Sequence, residues 1–375
     1  MVKIKNIEKV AQRLKKNCHE RVVLYGDADI DGACSVIILE ETLKKIGFKE
    51  ISVYFPDRVK EGYGLNLKAL DYLNSLESFL LIILDSGITS FSEVKEASKR
   101  GIETIIIDHH QPLDEMPLAS LIINVKQKKD KYPFKNFANA GLVFKLAEEI
   151  LGRSFPERKN FLELAALATI ADMMEQREDN KYLIKKGLES LENTQRIGLK
   201  VLKSFFDPNL MIREKAQKMI SVLNSADVVD HRIEIYDLLI TQDEKKALDI
   251  SEKLLIKNNE RHEKIKEITE QVMNLSHRYQ NLVFESSEEW DESFLGSVAS
   301  RVCSETNKTV FLFKKGKKDS RGAVRASSGV NAVDVMNNYS YLLDKFGGHP
   351  PAAGLTLKTN NLKKLEKELV KFFEK

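Results

Sequence analysis

The chain has 375 residues, of which 42% are apolar and 31% charged, with a formal net charge of +3. That length suggests two domains rather than one core, and the near-neutral charge means that an anionic partner must be met by a local patch. The three cysteines, Cys18, Cys34 and Cys303, stand far apart with no CxxC pair, which argues against a disulfide framework or a structural zinc and fits a reducing cytoplasm.

The first segment carries Ile4, Ile7, Val10 and Leu14 at helical spacing. Glu8 and the missing apolar stretch argue against a targeting peptide, so a packing helix is expected. Strands are predicted at 21–25 (RVVLY), 51–55 (ISVYF), 79–84 (FLLIIL), 104–107 (TIII) and 121–125 (LIINV). Runs such as FLLIIL are apolar on both faces, as buried parallel strands are, and this longest apolar run is too short to span a membrane. Helical patterns at 35–46 and 92–99 alternate with the strands, which argues for an open parallel α/β sheet. From about 134 to 249 the strands stop, and helices are predicted at 142–151, 161–174 and 183–191. Residues 243–273 are charged and free of Gly and Pro, and read as one long connecting helix. The remaining ~95 residues read as a smaller α/β domain, with strands at 310–313 (VFLF) and 322–326 (GAVRA) flanking the basic turn KKGKKDSR.

Three predicted strands run into acidic residues: Asp27, Asp29 and Asp31 after the first, Asp85 after the third, and Asp108-His109-His110 after the fourth. The carboxyl ends of parallel strands share one edge, where ligands bind. Carboxylates gathered there repel one another and need a compensating positive charge. The neighbouring sequence offers no matching Arg/Lys cluster, so divalent cations are the expected compensation. An Asp/His shell without thiolate suits manganese or magnesium, or cobalt, and the number of ligands points to two cations. Taken singly each piece has a plainer reading: Asp29 or Asp31 as a helix cap, Asp85-Ser86-Gly87 as a turn, Asp172 as a helix terminus. Their joint occurrence at strand ends is what carries the inference.

These residues resemble the motifs of the DHH phosphoesterase superfamily: Asp-x-Asp-x-Asp-Gly at 27–32, Asp85, the Asp-His-His triplet at 108–110 and Ala171-Asp172. Pro56-Asp57-Arg58 followed by Glu61-Gly62-Tyr63-Gly64 resembles the RecJ-like branch, and Gly347-Gly348-His349 with Ala352-Ala353-Gly354 resembles the DHHA1 signature. The stretches 296–301 (GSVASR) and 322–326 match that second domain too. The resemblance implies an α/β fold: a parallel-sheet DHH catalytic domain at 1–241 (sheet core to about 130, helical part beyond), a connector helix at 242–278 and a DHHA1 domain at 279–375. It implies that Asp27, Asp29, Asp31, Asp85, His109 and Asp172 hold two metals, with Asp85 bridging and Asp27 as ligand or support. It implies that His110, Arg58, Tyr63, Arg301, Arg325, Gly347, Gly348 and His349 meet the substrate, the two glycines by forming an anion nest.

The activity so implied is a single-strand-specific exonuclease, 5′→3′ on DNA, of the compact archaeal type. Two departures are visible. The stretch at 224–228 (NSADV) lacks the Arg of the corresponding family segment, leaving His231 or Arg232 as stand-ins, and the length leaves no room for the OB-fold of long bacterial forms. Competing expectations are a 3′→5′ hydrolase of RNA or short oligonucleotides, a GINS-associated replisome component and a small-molecule phosphatase. Lys314, Lys315, Lys317, Lys318 and Arg321, and Lys126, Lys128, Lys129 and Lys131, are candidate backbone contacts, the alternative being solvated loops. Among aromatics outside a core, Tyr63 is the best candidate for base stacking, ahead of Tyr339, Tyr341 and Phe346.

Overall fold

The computed structural model describes residues 2–74 and 79–374, which divide into two compact units, Met1–Asn258 and Asn259–Lys375. The first unit begins with α1 (Ile7–Lys16), β1 (Val22–Gly26), α2 (Ile30–Lys45), β2 (Ile51–Tyr54) and α3 (Leu67–Leu73). It continues with β3 (Leu80–Leu84), α4 (Phe91–Lys99), β4 (Glu103–Ile107) and β5 (Leu121–Ile123). All five strands are parallel, in the order β2-β1-β3-β4-β5. The chain leaves β1 towards β2 and then returns to β3 on the other side. The topological switch point, where ligands bind in open sheets, therefore lies between β1 and β3.

The central strands β1 and β3 are buried along their whole length because both faces are covered, whereas edge strand β2 exposes Ser52 and β4 opens on Glu103. Val22, Leu24, Ile82 and Ile105 join one cluster with residues of α1, α2 and the later helices. Val23, Tyr25, Ile83 and Ile106 join a second with Leu70 and Leu73 of α3 and Val94 and Ala97 of α4. α1 buries Ile7, Val10 and Leu14, as its spacing predicts. Helix α2 starts at Ile30, five residues before the predicted helix, because Asp29 caps it: the Asp29 carboxylate accepts from the Gly32 amide at 2.9 Å. A Cβ at Gly32 would lie 2.2 Å from the Asp27 carbonyl oxygen, so this tight entry requires glycine.

The helical part comprises α5 (Asn139–Leu151), α6 (Arg158–Ala171), α7 (Glu178–Glu192), α8 (Ile197–Ser204) and α9 (Ile212–Leu223). A short hairpin follows, β6 (Val228–Val229) and β7 (Arg232–Ile233), with Asp230 and His231 at positive φ in its two-residue turn. It interrupts the stretch predicted to be free of strands, too short to show a period-2 pattern. Then come α10 (Glu234–Ile240) and α11 (Glu244–Leu275), 32 residues without a break, which carries the boundary between the units.

The second unit contains β8 (Leu282–Ser287), α12 (Glu292–Thr306), β9 (Thr309–Lys314), β10 (Asp319–Arg325) and α13 (Ala332–Asn338). It ends with β11 (Lys345–His349), β12 (Ala352–Lys358) and α14 (Leu362–Phe373). Its sheet runs β11-β12-β10-β9-β8, antiparallel except for the β8–β9 pair. The anion nest expected at Gly347-Gly348 does not form. Both glycines lie in β11, opposite Gly354 and Ala353, and Pro350-Pro351 make the turn. Only Gly348 of the two has positive φ (147°). A Cβ there would come within 2.4 Å of the Ala352 carbonyl oxygen, so close strand approach demands this glycine. Among the described residues no helix is long and apolar enough to cross a membrane, and the three cysteines are free thiols.

Candidate metal centre

Each strand at the switch point delivers its acid at the same edge. Asp27 and Asp29 follow β1, Asp31 sits in the first turn of α2, Asp85 ends β3, and Asp108-His109-His110 end β4. Asp172 arrives from elsewhere, as the C-terminal cap of α6. Three sets of potential ligand atoms each lie within 4.8 Å of one another: Asp31, His109 and Asp172; Asp85, His109 and His110; Asp27, Asp29 and Asp85. Asp27, Asp31, Asp85 and His109 are buried, Asp29 and Asp172 half-buried, and His110 exposed.

The histidine ring is oriented for ligation. His109 Nδ1 lies 2.8 Å from the Phe137 carbonyl oxygen, which can only accept, so Nδ1 carries the proton. The lone pair of Nε2 then faces Asp85 at 3.2 Å, Asp172 at 3.6 Å and Asp31 at 3.9 Å. Burial, with the neighbouring His110 charge, pushes His109 down to about 4 and keeps it neutral. Asp85 Oδ1 and Asp172 Oδ2 are buried without a hydrogen-bond partner. Asp85 also takes the uncommon φ of 61°. Burial first, and then the charges of Asp31, Asp29, Asp27 and Asp108, push Asp85 well above the carboxylate range. Burial and Asp172 do the same to Asp31, and burial and Asp29 raise Asp172 to about 6. Acceptors converging on a common space, with orphaned oxygens and a neutral imidazole lone pair, fit divalent cations.

Supports surround this set. The N-terminus of α5 grips Asp31, with Asn139 and Ala140 amides donating to its two oxygens at 2.6 and 2.7 Å. Asp108 is fully buried and accepts from the Ile88 and His110 amides and from His110 Nδ1 at 2.8 Å. That last contact raises His110 to about 9, so its ring is an imidazolium at neutral pH. Arg58 supplies, from a separate loop, a cation that the sequence adjoining the carboxylates lacks. The loop after β2 folds back over the sheet edge and brings its guanidinium to Asp29 Oδ2 at 2.6 Å, Asp27 Oδ2 at 2.8 Å and Asp27 Oδ1 at 2.9 Å. Burial tends to raise Asp29, but the Arg58 charge and the Gly32 amide outweigh it and hold Asp29 below its ordinary value. Tyr63, 77% exposed, lies with its ring 4.9 Å from the Arg58 guanidinium carbon. The substitutes considered for the missing family Arg are otherwise engaged: Arg232 pairs with Asp237, and His231 stacks on Tyr54 at 4.2 Å.

Residues 21–174 match the DHH family, N-terminal domain, and residues 279–375 the DHHA1 domain. The single-stranded-DNA-specific exonuclease RecJ of Bacillus subtilis is 30% identical across 98% of this chain and 47% of its own length. The chain belongs to the DHH/DHHA1 family, in its RecJ-like branch. It spans about half the length of that Bacillus relative, and 68% of the Escherichia coli RecJ, which is 26% identical. A crystal structure of exonuclease RecJ bound to manganese shares the fold at a TM-score of 0.82 and 24% identity, covering 99% of this chain and 95% of the other. RecJ of Thermus thermophilus in complex with Mn2+ does so at 0.83 and 23%, covering 99% and 55%.

Within the DHH domain, then, Asp27, Asp29, Asp31, Asp85, His109, His110, Asp172, Arg58 and Tyr63 gather at one edge. The DHHA1 candidates occupy the second unit. Arg325 on β10 stands opposite Ala352 of β12, which stands opposite His349 of β11, so 325 and 349 share one row of the sheet. The Arg325 guanidinium donates to Ser300 of α12 at 2.7 Å, and Arg301 on the same helix is 3.7 Å from Glu305. The side chain of His349 lies outside the described residues. Sequence reasoning missed the Phe137 carbonyl and the Asn139 and Ala140 amides, because backbone groups leave no residue signature. It also gave Asp108 no task, although its place beside two histidines was visible.

Proposed function

We propose that this chain is a two-cation phosphodiesterase that removes mononucleotides from single-stranded nucleic acid, 5′→3′ on DNA by likeness to relatives named single-stranded-DNA-specific exonucleases. The observation that carries the reading is the buried convergence of Asp31, Asp85, His109 and Asp172, with two carboxylate oxygens lacking any partner, at the sheet's switch point. Asp31, His109 and Asp172 would hold one divalent cation, Asp27 and Asp29 the other, and Asp85 would bridge. Manganese is the first choice, with magnesium or cobalt as alternatives, for an oxygen-rich shell with one imidazole. A cation pair in such a shell polarises a phosphoryl oxygen and acidifies an attacking water.

The chain's own groups would do the rest. His110, cationic and exposed, offers Nε2–H to a phosphate oxygen and neutralises charge that grows on it, while Asp108 fixes the ring. Arg58 presents a forked donor to the adjoining phosphate, with Tyr63 as a stacking platform for a base. In the DHHA1 domain, Arg301, Arg325 and His349 would hold phosphates, while Gly347 and Gly348 shape strand β11 beside them. The test is hydrolysis of 5′- and 3′-labelled DNA and RNA single strands with manganese, magnesium or chelator. Chelator-sensitive release of mononucleotides is expected, and the order of loss of label gives polarity. Absence of cleavage under every metal would overturn the proposal.

A further inference from the structure

The three ligand sets are unequal in one respect. Among the described residues no Lys or Arg bonds to Asp31 or Asp172, whereas both Asp27 and Asp29 are already held by Arg58 through contacts of 2.6–2.9 Å. The guanidinium is itself kept in place. Glu61 accepts from the Tyr54 hydroxyl at 2.8 Å and from the Asp57 amide at 2.9 Å, pinning the loop that bears Arg58 to strand β2. The Tyr25 hydroxyl donates to the Gly64 carbonyl at 2.8 Å and fastens the loop's far end. The Tyr63 ring lies against the guanidinium, 4.9 Å from its central carbon.

From this we infer that Arg58 is an internal cation that competes for Asp27 and Asp29, so that the two metal positions load in order and the second opens when a phosphate draws the guanidinium away. The inference rests on the two-cation reading above. Its logic is charge balance. A dication at Asp31, His109 and Asp172 meets the unpartnered Asp172 Oδ2 and an Asp31 bonded only to neutral backbone amides, and displaces no protein cation. A dication at Asp27, Asp29 and Asp85 must displace charge-assisted hydrogen bonds that already neutralise two of those ligands. A phosphate oxyanion offers Arg58 an equivalent bidentate partner, so metal and phosphate each favour the other's binding. That coupling is reciprocal and falls in the ordinary range of roughly 5–150-fold.

The test measures manganese binding by calorimetry and by the loss of free-ion electron paramagnetic resonance signal, without turnover, on the full chain. The parent should bind two ions in two affinity classes, and inorganic phosphate should tighten the weaker class alone. Arg58→Gln should tighten the weaker class by roughly tenfold or more and abolish the phosphate effect. Asp27→Asn should weaken that class and leave the tighter one unchanged, which shows which ligands the weaker class uses. Two ions bound with equal affinity, or a weaker class unaffected or weakened by Arg58→Gln, would overturn the competition while leaving the two-cation reading intact. Failure to bind manganese at all would overturn both.

Discussion

Asp85→Asn should make the metal-free protein more stable and the metal-loaded protein less so. Asp85 Oδ1 is buried, lacks a hydrogen-bond partner and faces the His109 Nε2 lone pair at 3.2 Å. An asparagine amide in the same place can donate to Nε2, carries no charge among the acids, and tolerates the φ of 61° as aspartate does. Relieving one such buried group is worth about 1–3 kcal/mol. At about 2–4 °C per kcal/mol for a unit of this size, the melting temperature in chelator should rise by several degrees. Manganese at a hundred times its dissociation constant stabilises the parent by about 2.7 kcal/mol per site. The variant, without the carboxylate proposed to bridge the cations, should gain little of this, and the order of the two melting curves should reverse. Thermal unfolding of both proteins, in chelator and in manganese, reads out all four states. A variant that melts lower in chelator, or that gains as much from manganese as the parent, would refute the reasoning.

Gly32→Ala places a Cβ 2.2 Å from the Asp27 carbonyl, so the 27–32 turn must open. A loss of about 1–3 kcal/mol in denaturant unfolding is expected, with weaker manganese binding in the same protein. Gly187→Ala would set a Cβ 2.2 Å from the Leu162 carbonyl where α6 and α7 touch. It should cost a similar amount of stability, while activity per folded molecule below the transition is retained. Glu61→Ala leaves the Tyr54 hydroxyl and Asp57 amide without their partner. About 1–3 kcal/mol of stability should go with it, together with protease resistance of the loop that carries Arg58. Lys317→Gln with Lys318→Gln should weaken binding of single-stranded DNA and flatten its logarithmic salt dependence by roughly 1.4, if each lysine meets one phosphate. An unchanged slope would assign that turn to solvent.

Much of the first unit could be read from residues because its physics is periodic. VVLYG and LLIIL announce strands buried on both faces, and strands of that kind force the acids that follow them onto one edge. Asp27, Asp85 and Asp108 are therefore placed together by the sequence pattern alone. Asp172 could be linked only through family resemblance, since nothing local separates a helix-capping carboxylate from a ligand. The Arg58 contact was illegible because it depends on a loop folding back across the sheet edge. The two-residue strands of the 228–233 hairpin are too short to have a period. At Gly347-Gly348 the composition suggested a turn, yet the neighbouring prolines make it, and the glycines instead admit a close strand.

The grip of α5 on Asp31 has a spectroscopic consequence. The Asn139 and Ala140 amide protons point at a single carboxylate, and the Phe137 carbonyl two residues earlier holds the imidazole of His109. One short stretch of backbone thus touches groups delivered by two different strand ends. Any diamagnetic ion that takes charge from Asp31 will move these two amide resonances at once. The helix end is a built-in reporter of occupancy, readable in a spectrum of the intact protein with no label placed near the reacting atoms.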